Sequence, residues 1–288
     1  MLTILAPAKI NLTLEVLAKR RDGFHEIRSV IQTIDLCDSL YFQLGQGIAF
    51  NSDEPGWIAE SSLVSKAASL IRQATGCTKG ATIDVKKRIP LVSGLGGDSS
   101  DAAAVLRGLN QLWELGLSLE ELLGLAKQLG SDVAYFLYGG TALVEGRGEL
   151  VTPLPLFPHM WVVLAIPPTP SVAEKTKQLY ASLKANHYTD GQITQRMVME
   201  LSEGCDFSPS LLFNTFENVA FDYFKGLDIV KSHMVKMGAP VVHLAGSGPA
   251  LFTLVKERDQ AEGLFLQLRQ QKLESYMTET IATIEKVQ

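Results

Sequence analysis

Residues 90–104 read Pro90-Leu91-Val92-Ser93-Gly94-Leu95-Gly96-Gly97-Asp98-Ser99-Ser100-Asp101-Ala102-Ala103-Ala104. An extended stretch enters three glycines, and an alanine-rich helical run leaves them. Glycine lets the backbone come close to a ligand and turn its N–H groups inward. The start of a helix adds unpaired N–H groups and a partial positive charge. Ser99 and Ser100 add hydroxyl donors. Together these features form a phosphate cradle. On the glycines alone, a glycine-rich turn with a serine N-cap competes with that reading. Two better-known glycine loops fail in detail. Walker A requires Gly-Lys-Ser/Thr, which the loop lacks, and the dinucleotide fingerprint requires glycine where Ser99 stands.

The flanks of the loop have clear periods. Upstream, Ile83, Val85 and Ile89 alternate with Asp84, Lys86 and Arg88, which predicts a half-exposed strand over 81–89. Downstream, Ala102, Val105, Leu106, Leu109, Leu112 and Trp113 form the stripe of a helix starting near Ser99. Ser118 and Glu121 form a capping box for the next helix, and Gly130 stops it. Leu63, Ala67, Leu70, Ile71 and Ala74 predict a helix over 62–75, ended by Gly76. Nearer the N-terminus, Ile10, Leu12, Leu14 and Val16 alternate as in a strand, and Asp22-Gly23 supplies a hairpin turn before a second extended stretch over 24–34.

The second half mixes strands at 161–166, 241–244 and 251–255 with helices at about 172–184, 226–237 and 259–271. Strands and helices are segregated rather than strictly alternating, so the expected fold class is α+β. A chain of 288 residues is long enough for about two domains. Six of the 12 prolines fall between Pro153 and Pro170, so the domain boundary is expected near 153–160.

Composition excludes several classes. Hydrophobic residues at 46% and charged residues at 20% exclude a disordered chain. A net charge of −5 argues against a nonspecific nucleic-acid binder. Cys37, Cys77 and Cys205 stand apart with no CxxC pair, so no zinc ribbon is expected and no metal ligands are assigned. An odd cysteine count fits a reducing compartment. The longest apolar run, Met160 to Ile166, is far short of the ~20 residues that span a bilayer. Lys9 and Asn11 interrupt the N-terminal apolar stretch before a signal peptide can form, so the expected location is the cytoplasm, with no membrane partner.

Three further segments carry chemistry. In Ala6-Pro7-Ala8-Lys9-Ile10-Asn11-Leu12, Lys9 and Asn11 share one strand face, opposite Ile10 and Leu12. In Gly130-Ser131-Asp132-Val133-Ala134-Tyr135-Phe136, an aspartate opens an apolar helical turn. Leu244-Ala245-Gly246-Ser247-Gly248-Pro249-Ala250-Leu251 is a glycine loop between two strands. Taken singly, each has a bland reading: a solvent-facing pair, an N-cap and a hairpin turn.

In their order, the four segments resemble the signature motifs of the GHMP kinases. The likeness is greatest to the branch acting on 4-diphosphocytidyl-2-C-methyl-D-erythritol, through Ala8–Leu12, Arg21-Asp22-Gly23-Phe24-His25, Gly94–Gly97 with Ser99-Ser100, and Gly130–Val133. The resemblance implies a two-domain α+β fold. A ribosomal protein S5 domain 2-like N-terminal domain over 1–155 would carry the phosphate loop and catalytic pair. A ferredoxin-like C-terminal domain over 156–288 would close the cleft. It implies a kinase that moves the γ-phosphoryl group of ATP to a small-molecule alcohol, with Mg²⁺ carried by the nucleotide. The acceptor would be a cytidine diphosphate sugar alcohol, and the protein a monomer or weak homodimer without a nucleic-acid partner.

The resemblance assigns catalysis to Lys9 and Asp132. It assigns ATP binding to Pro90, Leu91, Val92, Ser93, Gly94, Leu95, Gly96, Gly97, Asp98, Ser99 and Ser100. Asn11 would contact the sugar alcohol, Phe24 and His25 the cytosine, and Gly246, Ser247 and Gly248 the diphosphate. Three positions depart from the family pattern. Asp98 replaces a usual glycine, which suits either helix capping or Mg²⁺ contact, with capping favoured. Ala134 replaces a usual proline. A second cytosine-stacking aromatic is absent near Thr176, where Tyr180 one helical turn on can substitute. The alternatives are another GHMP kinase, acting on homoserine or a mevalonate-type alcohol, and a nucleotide-binding regulator without catalysis. The Phe24-His25 pair discriminates against the first, and intact Lys9 and Asp132 against the second.

Overall fold

The computed structural model describes residues 1–169 and 174–282. The first half opens with β1 (Leu2–Asn11), β2 (Thr13–Lys19), β3 (His25–Gly45) and β4 (Ile48–Ser52). It continues through α1 (Leu63–Thr75), β5 (Gly80–Lys86), α2 (Gly97–Leu112), α3 (Leu119–Leu129) and α4 (Val133–Tyr138), and ends with β6 (Thr141–Gly146) and β7 (Leu150–Pro153). The 21-residue β3 is its spine, pairing antiparallel with β1, β2, β5 and β6 along successive stretches. Successive side chains of a strand point to opposite faces. Ile31 faces a core shared with α1 to α4, and beyond the register shift at Pro7/Ala8, which interrupts the alternation, Leu40 and Phe42 face it too. Val30, Ile34 and Leu36 face a second core.

The second half holds β8 (Trp161–Ile166), α5 (Lys175–Ser182), α6 (Gln192–Ser202), β9 (Phe213–Asn214), α7 (Glu217–Tyr223), α8 (Leu227–Lys236), β10 (His243–Leu244), β11 (Leu251–Val255), α9 (Arg258–Gln270) and β12 (Glu274–Glu279). Its four-stranded antiparallel sheet runs β10-β11-β8-β12. A strand, helices, a hairpin, a helix and a final strand in that order form the ferredoxin-like arrangement. Val162 and Leu164 of β8 turn toward Ala8, Ile10 and Val30, while Val163 and Ala165 turn toward the helices. A strand buried on both faces reads as a continuous apolar run, as residues 160–166 do.

The halves are stitched together. β2 pairs parallel with β9 through Thr13 and Phe213, and Ile281 donates its N–H to the Thr33 carbonyl at 3.0 Å. The mixed sheets and segregated helices make the fold α+β.

Ser62 caps α1, Gly76 closes it at φ 66°, and Ser118 with Glu121 forms the capping box of α3. Other expectations are corrected. The strand expected through 10–16 breaks at Leu12, and the stretch expected over 24–34 runs on to Gly45. The strand expected over 81–89 stops at Lys86, because the N–H groups of Arg88 and Ile89 turn to the Asp38 carboxylate. The helix expected near Ser99 starts at Gly97, after Gly96 takes the left-handed φ of 79°. The strand expected over 241–244 keeps only its last two residues. The helix expected over about 172–184 is Lys175–Ser182, with 172 and 173 outside the described residues. Elements α6, α7, β4, β6, β7, β9 and β12 had no anticipated counterpart.

Candidate active site

Lys9 lies near the end of β1, where both strand faces are buried, so Lys9 and Asn11 are each only 4% exposed. This overturns a solvent-facing pair. The Lys9 N–H donates to the Leu95 carbonyl at 3.0 Å, tying β1 to the glycine loop. The Lys9 ammonium donates to Asn11 Oδ1 at 2.7 Å and stands 3.8 Å from Asp132 Oδ2. Asn11 in turn donates to Ser29 Oγ at 2.8 Å, which fixes its amide. Burial lowers the Lys9 pKa, and the Asp132 carboxylate opposes that shift. Asp132 precedes α4, yet its carboxylate caps nothing. It is held instead by the burial of Val133, Tyr135 and Phe136 behind it.

The two glycine loops meet at this point. A Cβ on Gly94, whose φ is +91°, would collide with the Ala245 carbonyl oxygen and lie 2.8 Å from the Gly248 nitrogen. A Cβ on Gly246 would lie 2.7 Å from the Gly94 carbonyl oxygen and 2.9 Å from Lys9 Nζ. Ala250 N–H donates to the Ser93 carbonyl at 3.0 Å. The glycines thus allow backbone-to-backbone packing as well as ligand approach.

The loop residues divide by direction. Leu91 and Val92 are exposed, and Pro90, Gly94, Gly96, Gly97 and Ser99 are half-buried. Leu95 is core, and the Ser93 hydroxyl donates to the Pro90 carbonyl at 2.7 Å. Ser100 Oγ is buried without a partner. Asp98 does cap a helix, but a different one from the helix it begins. It accepts from the Ser62 hydroxyl and from Leu63 N–H at 3.2 Å, at the start of α1. Beneath the loop, the buried Lys87 ammonium sits 2.5 Å from Asp38 and 2.6 Å from Asp101. Burial works against that ammonium, but Asp101 and Asp38 raise its pKa. Burial drives the Asp101 carboxyl well above its ordinary value.

His25 stacks on Tyr180 with centroids 4.7 Å apart and planes 16° apart. Tyr180 is therefore a support under the His25 ring. Tyr188 meets the same ring edge-on at 6.0 Å. Burial, and then Lys19, lowers the His25 pKa. Phe24 is exposed at the hairpin tip, with the Arg147 guanidinium 4.9 Å from its centroid. Ser247 Oγ lies 2.9 Å from Thr176 Oγ1.

Sequence reasoning missed three site residues. Lys175 is buried with its ammonium on the Val92 carbonyl at 2.8 Å and on the Gly248 carbonyl. Asn214 donates to the Leu244 and Gly246 carbonyls at 2.8 Å each. Asp38 holds the entry to the phosphate loop. Lys175 lies in the polar run Glu174-Lys175-Thr176-Lys177, which looks like any solvated helix start.

The family model described as GHMP kinases N terminal domain matches residues 62–140, and GHMP kinases C terminal matches residues 196–274. The chain belongs to the GHMP kinases. It is an ATP-dependent small-molecule kinase of that family. Among GHMP kinases, it is 46% identical to 4-diphosphocytidyl-2-C-methyl-D-erythritol kinase of Dehalococcoides mccartyi, over 99% of this chain and 100% of that one. It is 39% identical to the enzyme of the same name from Listeria monocytogenes, over 96% of this chain and 94% of that one. The crystal structure of a 4-(cytidine 5'-diphospho)-2C-methyl-D-erythritol kinase superposes with a TM-score of 0.82 at 32% identity, covering 97% of this chain and 99% of that one. Homoserine kinase from Cytophaga hutchinsonii shares the fold, with a TM-score of 0.75 at 20% identity, covering 98% and 94%. Among the described residues of this GHMP kinase, no helix is long and apolar enough to cross a membrane. No group of three or more His, Cys, Asp or Glu side chains among them could hold a metal ion.

Proposed function

We propose that the chain transfers the γ-phosphoryl group of ATP to the 2-hydroxyl of 4-diphosphocytidyl-2-C-methyl-D-erythritol, in non-mevalonate isoprenoid precursor biosynthesis. The observation that carries this reading is the Lys9–Asp132 pair, 3.8 Å apart beside the glycine loop, in a chain whose full-length relatives bear that enzyme's name.

The residues suit the chemistry. Asp132 makes no capping bond and is partly exposed, so it is free to orient a hydroxyl and accept its proton. A carboxylate is a weak base for an alcohol, but in phosphoryl transfer the proton can leave late. Lys9 stands beside that carboxylate and faces charge on the transferring oxygens. The 94–100 loop and the first turn of α2 offer N–H groups to the phosphates. Asp98 and Asp101 are engaged with α1 and Lys87, so the residues present fit a Mg²⁺ ion that arrives with ATP. That ion supplies charge neutralisation on the phosphates. His25, held in place by Tyr180, and the exposed Phe24 suit recognition of a nucleobase. On this reading residues 1–155 carry the phosphate loop and catalytic pair, and residues 156–288 close over them. Three free cysteines suit a cytoplasmic location.

A coupled ADP-release assay with Mg-ATP and a panel of alcohols tests the reading. Turnover is expected on the cytidine diphosphate compound. Turnover on homoserine or a mevalonate-type alcohol in its place overturns it.

A further inference from the structure

Lys175 is a buried cation whose hydrogen bonds go to backbone carbonyls on two different loops. Val92 belongs to the nucleotide-side loop, and Gly248 to the loop from the second half. Val92 has φ of +54°, a conformation that a β-branched residue rarely adopts without support. The same short helix continues the connection. Thr176 meets Ser247 at 2.9 Å, and Tyr180 lies under His25. One element thus touches the phosphate loop, the second glycine loop and the base-reading histidine.

We propose that Lys175 is a positioning residue that locks the nucleotide-side loop to the substrate-side loop, so that each ligand tightens the binding of the other. This rests on the proposed function for the identity of the second ligand. The coupling is reciprocal by thermodynamic necessity: if nucleotide orders Val92 and the lock transmits that order to Gly248, a diphosphate at 246–248 must favour nucleotide equally. The local charge supports it. Burial, and then the nearby Lys9 charge, holds the Lys175 ammonium down at about 8. Two neighbouring buried ammonium groups leave positive charge that phosphate oxygens on either side can offset.

Two measurements on the full chain test the lock. In the free protein, Lys175→Met is expected to speed amide exchange at residues 92–97 and 246–250 by about tenfold. Unchanged protection at either loop overturns the proposal. By calorimetry, saturating cytidine 5'-diphosphate is expected to tighten Mg-ADP binding about tenfold in the wild type. That factor should fall to about one in Lys175→Met and to about three in Lys175→Gln, which keeps one donor. Where the wild type binds cytidine 5'-diphosphate, equal factors in wild type and variants overturn the proposal. The glutamine variant carries both tests if the methionine variant does not fold. A wild type that fails to bind cytidine 5'-diphosphate, with both loops still loosened by Lys175→Met, overturns the substrate assignment and upholds the lock.

Discussion

The ammonium of Lys9 and the carboxylate of Asp132 stand 3.8 Å apart, one deep in β1 and the other at the mouth of α4. Lys9 is closer to Asn11, at 2.7 Å, so the carboxylate is left with an open side. Asp132→Asn and Lys9→Ala are each expected to lower kcat by about 10²-fold or more, the scale of one lost electrostatic contact in a transition state. Because the two groups act as a unit, the double variant should fall well short of the product of the single losses. Steady-state kinetics on the three proteins, with circular dichroism to confirm folding, checks this.

Asp98 works as a brace between helices. Its carboxylate takes the Ser62 hydroxyl and the Leu63 N–H at the start of α1. Asp98→Ala is expected to cost about 1–2 kcal/mol in urea unfolding, as the loss of a charged cap does. The Mg²⁺ concentration for half-maximal activity should stay within twofold. A larger shift in that concentration would place Asp98 on the metal.

Lys87→Met leaves Asp38 and Asp101 buried with no cation between them. Removing one partner of a buried pair is expected to cost about 3–5 kcal/mol. Lys177→Ala, which breaks a surface pair with Glu174, should cost under about 1 kcal/mol. Denaturant unfolding of both variants makes the comparison.

His25→Ala removes the ring that Tyr180 supports. The KM for the cytidine-bearing substrate should rise about tenfold, the size of one or two lost hydrogen bonds, with the KM for ATP unchanged. Burial and Lys19 lower the His25 pKa, so the ring is neutral at pH 7, and substrate binding should weaken only on acidification. Initial-rate measurements against both substrates, repeated across pH, check the assignment.

Lys175 gives stability a pH signature. Its folded pKa is about 8 against 10.5 in the unfolded chain. Below pH 8 both states hold the proton, and the folded state bears the full cost of the buried charge. Between the two values the folded state sheds a proton that the unfolded state keeps, so stability rises with pH. The wild type should gain on Lys175→Met by about 1.4 kcal/mol per pH unit across that window. Urea unfolding at several pH values reads the slope.

Much of the fold was legible in residue order. The strand at 161–166 and the helices over 62–75 and 118–130 follow from alternation, helical stripes and capping residues, which report local conformation. Strand lengths were not legible. β1 and β2 divide at Leu12 because the chain there bonds back to Val30, and β3 continues past Ile34 because it has β1 and β5 to pair with. The short strand β9 exists only as a partner for β2.

The site divided in the same way. A phosphate-binding glycine loop running into a helix, and the family likeness of Lys9, Asp132 and His25, were available from sequence alone. They depend on residue type and short spacing. Tertiary packing alone decided that Lys9 is buried rather than solvated, and that Asp98 braces α1 rather than its own helix. It also decided that Tyr180 supports His25, and that Lys175 spans two loops. Each of these is set by a partner distant in sequence, which arrives only when separate elements pack together. For Lys9 and Lys175 that packing also excludes water, and desolvation gives their contacts their strength.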